Sequence, residues 1–405
     1  MTYLVMNRRP IIESLAKWFP RSKDDLVVVT DRRALRGVDT DRMADSFRAF
    51  EVTDDYGGKG TERLVESLCQ EHRVERILTT AEVDLVRSAE LRGRLGLPGQ
   101  NRASAVAYTD KHVMKTAAAA AGLPTAPMRT VHDAAELIAF AAAYGLPVVL
   151  KELNGAAAIG MSVLKNDTDL AKAAGRWGQD RSGGVMLAES WVDGDVYHVN
   201  GLVAGGSVLQ SWPCRYLHTQ WSSYHSAAPC ISGMLHPEEP LFDRLQNATA
   251  AVTAALPTAS EVLPFHAEFF HSTDDTIILC EIACRAGGAG IIEMHERAFG
   301  LNLYHAGLKG QADRADDIRW TSLNTRGGYG WFPPQAGVLR QLPSRCPLPR
   351  AVEYTTSGEV GRQYPGPRSA VDAIAQLHFD IAEDEDLLSV LREVENWWAD
   401  AVRWK

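Results

Sequence analysis

Two apolar runs, Phe265-His266-Ala267-Glu268-Phe269-Phe270 and Ile278-Leu279-Cys280-Glu281-Ile282-Ala283-Cys284, each carry one glutamate near the middle, and these glutamates stand thirteen positions apart. Runs of this composition read as strands, and Thr273-Asp274-Asp275 reads as the turn joining them into an antiparallel pair. An ionised carboxylate on a buried strand costs too much to stand alone and needs a cation or a donor. A shared divalent cation meets the need, because Mg²⁺ takes one or two protein carboxylates and fills its other positions with phosphate and water. Just downstream, Arg285 offers a fixed anion-binding fork and Gly287-Gly288 a close backbone approach. The pattern also fits a plainer arrangement, a buried Glu281–Arg285 ion pair with Glu268 at a strand edge.

The segment Glu281-Ile282-Ala283-Cys284-Arg285-Ala286-Gly287-Gly288 resembles the Glu-Ile-Asn-x-Arg-x-Gly-Gly signature of ATP-grasp enzymes, specifically the carboxylate–amine and L-amino acid ligases. The resemblance covers nearly the whole chain. It implies an α/β chain with an ATP-grasp fold, in which two α+β subdomains grip ATP. An N-terminal Rossmann-like parallel α/β domain would span residues 1–108. The grasp would span 109–310, as a first subdomain over 109–187 and a second over 188–310, and a small lid-like C-terminal α+β domain would span 311–405. The resemblance also implies that Glu268 and Glu281 hold Mg²⁺ or Mn²⁺, and that Arg285, with Gly287 and Gly288, faces the acyl-phosphate end of the site. Ala283 stands where the signature has asparagine, which removes one usual metal contact; the amino acid ligase branch often has a small residue there.

The remainder of the sequence is compatible with that architecture. At 405 residues, 45% hydrophobic and 23% charged, the chain can bury two or three cores. A net charge of -9 argues against nucleic acid as the main partner. No apolar run approaches a membrane span, and the six scattered cysteines read as reduced thiols of a cytoplasmic protein. Short apolar strands (Tyr3 to Met6, Leu26 to Val29, Arg76 to Thr79) alternate with helical patterns (Ile11 to Phe19, Thr61 to Glu71), the rhythm of a parallel sheet covered by helices. Neither a dinucleotide fingerprint nor a Walker spacing is present. After about residue 310, Gly327 to Pro334 and the Pro/Arg-rich 343–350 stretch break the pattern, before strand-like Val352-Glu353-Tyr354 and an amphipathic tail from Asp384 to Trp404.

Three further segments carry candidate chemistry. Asp110 reads as the N-cap of an alanine-rich helix, with Lys111 in the first turn where bare amides favour an anion. Lys151 closes the apolar strand after Gly145-Leu146-Pro147, and Gly155-Ala156-Ala157-Ala158-Ile159 follows as a small-residue loop able to lay amides over phosphates. By resemblance, Lys111 and Lys151 are phosphate ligands and Lys151 acts in catalysis with Arg285. The stretch Val185 to Asp195 resembles the hinge of the grasp, with Glu189, Ser190, Trp191 and Val192 on the adenine and Asp195 on the ribose; Asp193-Gly194 by itself reads as a hairpin turn. Between hinge and glutamates, Trp212, Arg215, Tyr216, His218, Trp221, Tyr224 and His225 resemble a substrate pocket, with Arg215 as a carboxylate clamp, whereas His198 and His218 read as core hydrogen-bonding residues.

The resemblance thus implies an ATP-dependent ligase that joins a carboxylate to an amine through an acyl phosphate and releases ADP and phosphate. An amino acid would be one or both substrates, in a natural-product setting. The partners are then small molecules, with no nucleic acid and no membrane, and a homodimer is open to it. No side-chain nucleophile is required, so Cys280 and Cys284 read as packing. Other readings are an ATP-grasp ligase or carboxylase of nucleotide metabolism, a catalytically silent nucleotide-binding module, and an aromatic-basic RNA-binding surface.

Overall fold

The computed structural model describes residues 1–155, 159–177, 184–369 and 372–405. Four strands near the N-terminus, β1 (Tyr3–Asn7), β2 (Leu26–Asp31), β3 (Ala49–Thr53) and β4 (Arg76–Thr79), form a parallel sheet in the order β3-β2-β1-β4. Alternate residues of β1 face opposite layers, as a period of two demands. Tyr3 and Val5 pack with Leu15 and Phe19, and Leu4 and Met6 with Val65 and Leu68, so both faces are covered by helices. The strand β3 is absent from the sequence reading because it lies at the sheet edge, where Glu51 is exposed and the apolar run is broken.

Four more strands, β5 (Met128–Val131), β6 (Val148–Glu152), β7 (Ser162–Leu164) and β8 (Met186–Ser190), make a small antiparallel sheet in the order β5-β8-β6-β7. The chain then enters a second antiparallel unit through β9 (Gly194–Ala204), β10 (Ser207–Tyr216), β11 (Cys230–Met234), β12 (Leu263–Ser272) and β13 (Ile277–Ala283). The link is Trp191-Val192-Asp193, which crosses from the small sheet to the large one. Asp193-Gly194 is therefore an inter-sheet connector and not the hairpin turn that its composition suggests.

The last third supplies β14 (Arg326–Phe332), β15 (Ala336–Gln341), β16 (Ala351–Thr356), β17 (Gln363–Pro365), β18 (Ala375–Ile381) and β19 (Arg403–Trp404). Strands β14, β18 and β16 extend the large sheet to eight, in the order β13-β12-β9-β10-β11-β14-β18-β16, while β15, β17 and β19 pair apart from it. The glycine-rich Gly327 to Gly330 stretch, expected to break the pattern, lies within the buried strand β14: a Cβ on Gly328 would overlap the Phe379 ring, so glycine is what lets β18 approach. The amphipathic tail forms the helix Leu387–Ala401, whose Trp398 stacks on Phe332 at 4.0 Å between ring centres. Among the described residues no helix is long and apolar enough to cross a membrane.

The central strands leave no slack. Gly201 on β9 faces β10 beside a register shift at Val208/Gln210, and a Cβ there would overlap the Gln210 carbonyl. We expect Gly201→Ala to lower the free energy of unfolding by about 3 kcal/mol or more. An unchanged urea midpoint would show that β10 yields.

Candidate active site

The expected strand pair exists, and it sets the floor of a cleft of about 500 Å³. Glu268 on β12 stands directly opposite Glu281 on β13, so both carboxylates leave the same face of the sheet. The strand β12 is not an edge: it lies between β13 and β9, which removes the plainer placement of Glu268. Beyond this pair the register slips, Phe269 facing Leu279, so Cys280 is an extra residue on β13 and turns into the cleft beside Glu281. Burial pushes the Cys280 thiol up to about 12 despite two nearby lysines, which leaves it protonated at neutral pH.

Glu268 is anchored from beneath. Its Oε1 accepts from the Tyr216 hydroxyl at 3.2 Å and lies 3.2 Å from His266 Nε2. His266 Nδ1 meets Asn200 Oδ1 at 2.7 Å, Asn200 Nδ2 meets His198 Nδ1 at 2.7 Å, and His198 Nε2 meets Ser232 Oγ at 2.6 Å. Burial, then the neighbouring His266, hold the His198 pKa well below the usual range, so it serves as a neutral relay of hydrogen bonds, as expected for a core histidine. His218 instead pairs with Glu395 of the C-terminal helix and is half-buried. Gly287 packs under this chain, where a Cβ would press on Asn200 and His266, and only Gly288 reaches the cleft.

The opposite side is cationic. Asp110 caps the helix Lys111–Ala120 by accepting from the His112 and Val113 amides at 2.9 and 3.0 Å. That cap aims Lys111 across the cleft, where its Nζ lies 3.1 Å from Glu281 Oε2 and donates to the Gly155 carbonyl at 2.5 Å. One turn on, Lys115 is fully buried and pairs with Glu189, whose other oxygen lies 2.5 Å from Lys151 Nζ. Glu189 was expected on the adenine; its carboxylate is instead committed to two lysines, because β8 aims it inward between β6 and the helix. Burial alone would raise the Glu189 pKa, but Lys115 and Lys151 outweigh it and hold the carboxyl below its usual range. The Lys115 pKa is lowered by its burial, and the neighbouring Lys151 adds to the effect.

The segment from Ser190 to Val192 supplies a further wall. Ser190, Trp191 and Val192 line the cleft, as does Ile159 of the loop after Gly155; Ala156, Ala157 and Ala158 lie outside the described residues. The Ser190 and Trp191 amides are already donated to the Pro127 and Pro147 carbonyls. The Ser190 hydroxyl is buried with no partner among the described residues, an orphan that a ligand in the cleft would satisfy.

Two expected contacts lie elsewhere, for one reason of parity. Val196 and Tyr216 face the cleft, so their neighbours Asp195 and Arg215 are sent to the other face of the sheet. There Arg215 Nη2 lies 2.6 Å from Asp195 Oδ2 and its guanidinium covers the Tyr197 ring, so neither residue lines the cleft as ribose acid or carboxylate clamp. Arg285 does line it, but its partner is Glu82, at 2.9 Å from both Nε and Nη2, and not Glu281. Sequence reasoning missed Glu82, Arg8 and Arg9, which form the third wall at the carboxyl end of the parallel sheet; their only signal is their place just after strand ends. It missed Lys115 as well, whose signal is helical spacing from Lys111.

Residues 116–298 match the ATP-grasp domain family. The chain carries an ATP-grasp domain. It is 24% identical over 280 residues to the L-arginine-specific L-amino acid ligase of Bacillus subtilis, covering 66% of this chain and 65% of that protein. The chain thus spans just under two thirds of that relative. Among solved structures, an L-amino acid ligase from Bacillus licheniformis superimposes with a TM-score of 0.71 at 16% identity, covering 100% of this chain and 99% of that one. The N5-carboxyaminoimidazole synthetase of Staphylococcus aureus, complexed with ADP, gives 0.66 at 12% identity over 98% and 96%. These likenesses show the fold.

Two outcomes follow from the charges. Glu189→Gln leaves two buried ammonium groups without their anion and should cost about 3–5 kcal/mol of stability, while adding Lys115→Met should recover at least ~1 kcal/mol; strictly additive urea midpoints would dissolve the triad. For Glu281, burial opposes ionisation, and Lys111, Lys151 and Arg285 more than reverse it, so its pKa falls from 4.5 to about 2. A folded-state value below the unfolded one gives stability that is present above pH 4.5 and fades as the pH drops toward 2. The stability gap between wild type and Glu281→Gln should therefore close over that window, and a gap independent of pH would count against the pairing.

Proposed function

We propose that the protein is an ATP-dependent carboxylate–amine ligase that forms an amide or peptide bond through an acyl phosphate. The carrying observation is the convergence of the facing Glu268–Glu281 pair, Lys111 and Lys151, and Arg285 on one cleft. Two carboxylates on one sheet face suit Mg²⁺ or Mn²⁺, which keeps its other positions for phosphate and water. Glu268, held by Tyr216 and His266, and Glu281 would be its ligands; the donor set fits, and Ala283 is buried with no oxygen to add. Once bound, that ion supplies charge neutralisation for the phosphates.

The chain's own residues do the rest. A carboxylate oxygen leaves poorly from carbon and a phosphate leaves well, so the task is to position the acid against the terminal phosphate of ATP and then admit the amine. Lys111 and Lys151 hold phosphate oxygens, with Lys151 kept protonated: burial works against its charge and Glu189 overrides it. Arg285, clamped by Glu82, faces the charge that develops on the acyl phosphate. Cys280 and Cys284 are protonated by burial and supply no nucleophile.

Amino acid substrates are supported by the name of the Bacillus subtilis relative. A carboxylase-type reading is favoured by the solved carboxyaminoimidazole enzymes, and a substrate panel separates the two. We place the grasp at 109–310, with 1–108 and 311–405 flanking it.

The test is phosphate release with ATP and pairs of amino acids, with nucleotide products separated. ADP is expected, and AMP as the main product would overturn the mechanism, because acyl phosphate formation attacks the terminal phosphorus. Lys151→Ala should lower kcat/KM by a factor on the order of 10² to 10³. Because Lys151 also balances Glu189, the same change should lower the melting temperature. Near-normal turnover in that variant would remove Lys151 from the phosphates.

A further inference from the structure

We propose that Arg8 and Arg9 hold the carboxylate of the amine substrate, so that the acceptor is an amine carrying its own carboxylate, as an α-amino acid does. The inference rests on the ligase reading above and adds which substrate the third wall recognises.

Position comes first. The strand β1 lies between β2 and β4 and ends at Asn7, so Arg8 and Arg9 emerge at the carboxyl edge of a parallel sheet, where open α/β sheets receive ligands. Met6 pairs with Thr79, so Arg8-Arg9 and Ala81-Glu82 leave the sheet side by side. All four residues line the cleft, and Glu82 is the residue that clamps Arg285. The arginines are thus one strand away from the group assigned to the acyl phosphate.

Charge accounting comes second. Lys111, Lys151 and Arg285 each have a protein carboxylate within 3.1 Å. Arg8 has only Asp31 at 3.7 Å, and its guanidinium lies over the Tyr56 ring. Arg9 has no ion pair among the described residues, and its Nε is buried without a hydrogen-bond partner. The buried Asp84 is the nearby acid whose charge reaches both arginines; it also accepts from the Tyr56 hydroxyl and lies 3.9 Å from Arg87, which pairs in turn with Glu62. The Arg9 backbone is fixed all the same. Asn7 donates to its carbonyl at 2.9 Å and accepts from its amide at 3.1 Å. A clamped backbone and a buried Nε with no partner among the described residues, on a cleft wall, make a site suited to an anion.

Chemistry chooses the anion. In the coupling step the amine nitrogen attacks the acyl carbon, the bond from that carbon to the phosphate oxygen breaks, phosphate leaves with the electron pair, and the ammonium proton passes to phosphate or water. The acid substrate's carboxylate is consumed in this sequence. A carboxylate on the amine survives it, must be kept off the terminal phosphate of ATP, and needs cations of its own. Arg8 and Arg9 are the cleft cations left for that task.

The experiment uses the full chain in two arms. Hydroxylamine, a neutral nucleophile without a carboxylate, traps the acyl phosphate as a hydroxamate and reads the ligase reaction alone. Amino acid acceptors are then compared with their amides. Wild type should favour the free carboxylate at least tenfold in kcat/KM. Arg9→Gln and Arg8→Gln should each raise the acceptor KM and erase most of that preference, depressing amino acid coupling at least tenfold more than hydroxamate formation. Hydroxamate formation with equal use of acid and amide by wild type overturns the inference and keeps the ligase. So does a preference for O-phosphoethanolamine, which would make the anion a phosphate, or a preference that survives in both variants. No hydroxamate with any acid would overturn both.

Discussion

The Lys115–Glu189–Lys151 triad ties together three elements on one side of the cleft. Lys115 comes from the capped helix, Lys151 from the end of β6 and Glu189 from β8. Two ammonium groups around one buried carboxylate cannot be parted without leaving a charge unbalanced, so each element holds the others in place. Lys111 extends the arrangement across the gap, to Gly155 on one side and Glu281 on the other. The carboxylate of Glu281 occupies a contact with Lys111 that a phosphate oxygen would take, and a metal on Glu281 would free Lys111 to turn to that phosphate. Each of these three lysines is thus balanced by an acid of the chain itself.

Glu268 is treated differently. Tyr216 and His266 approach it, and behind them runs a chain of hydrogen bonds through Asn200 and His198 to Ser232. A hydroxyl and an imidazole at one oxygen fix the direction of that carboxylate, as suits the metal ligand proposed for it. One member of the facing pair is thus charge-balanced and the other is oriented. The chain crosses β12, β9 and β11, so the geometry of the site is inherited from the register of the large sheet.

How much of this the sequence discloses depends on whether the cause is local. The glutamate-bearing strand pair, the Asp110 cap and the parallel sheet follow from periodicity, cap chemistry and apolar runs, all of which operate within a few residues. The edge strand β3 and the glycine-rich β14 escape that reading, the first because its burial is partial, the second because its Gly328 answers to Phe379, 51 positions away. Parity is a subtler case. Asp195 and Arg215 have suitable chemistry, yet being one residue out of phase with Val196 and Tyr216 puts both on the wrong face.

By itself, then, the sequence determined the strand pattern, the caps and the kinds of group available: two carboxylates on facing strands, two lysines at element ends, one arginine before a pair of glycines. The tertiary structure alone decided which charges meet. Arg285 takes Glu82, 203 positions away, and Glu189 takes Lys115, 74 positions away. Coulombic partners are chosen by proximity after the sheets have packed, and nothing in the spacing of charges along the chain records which of them will be left, like Arg9, on a cleft wall with no ion pair among the described residues.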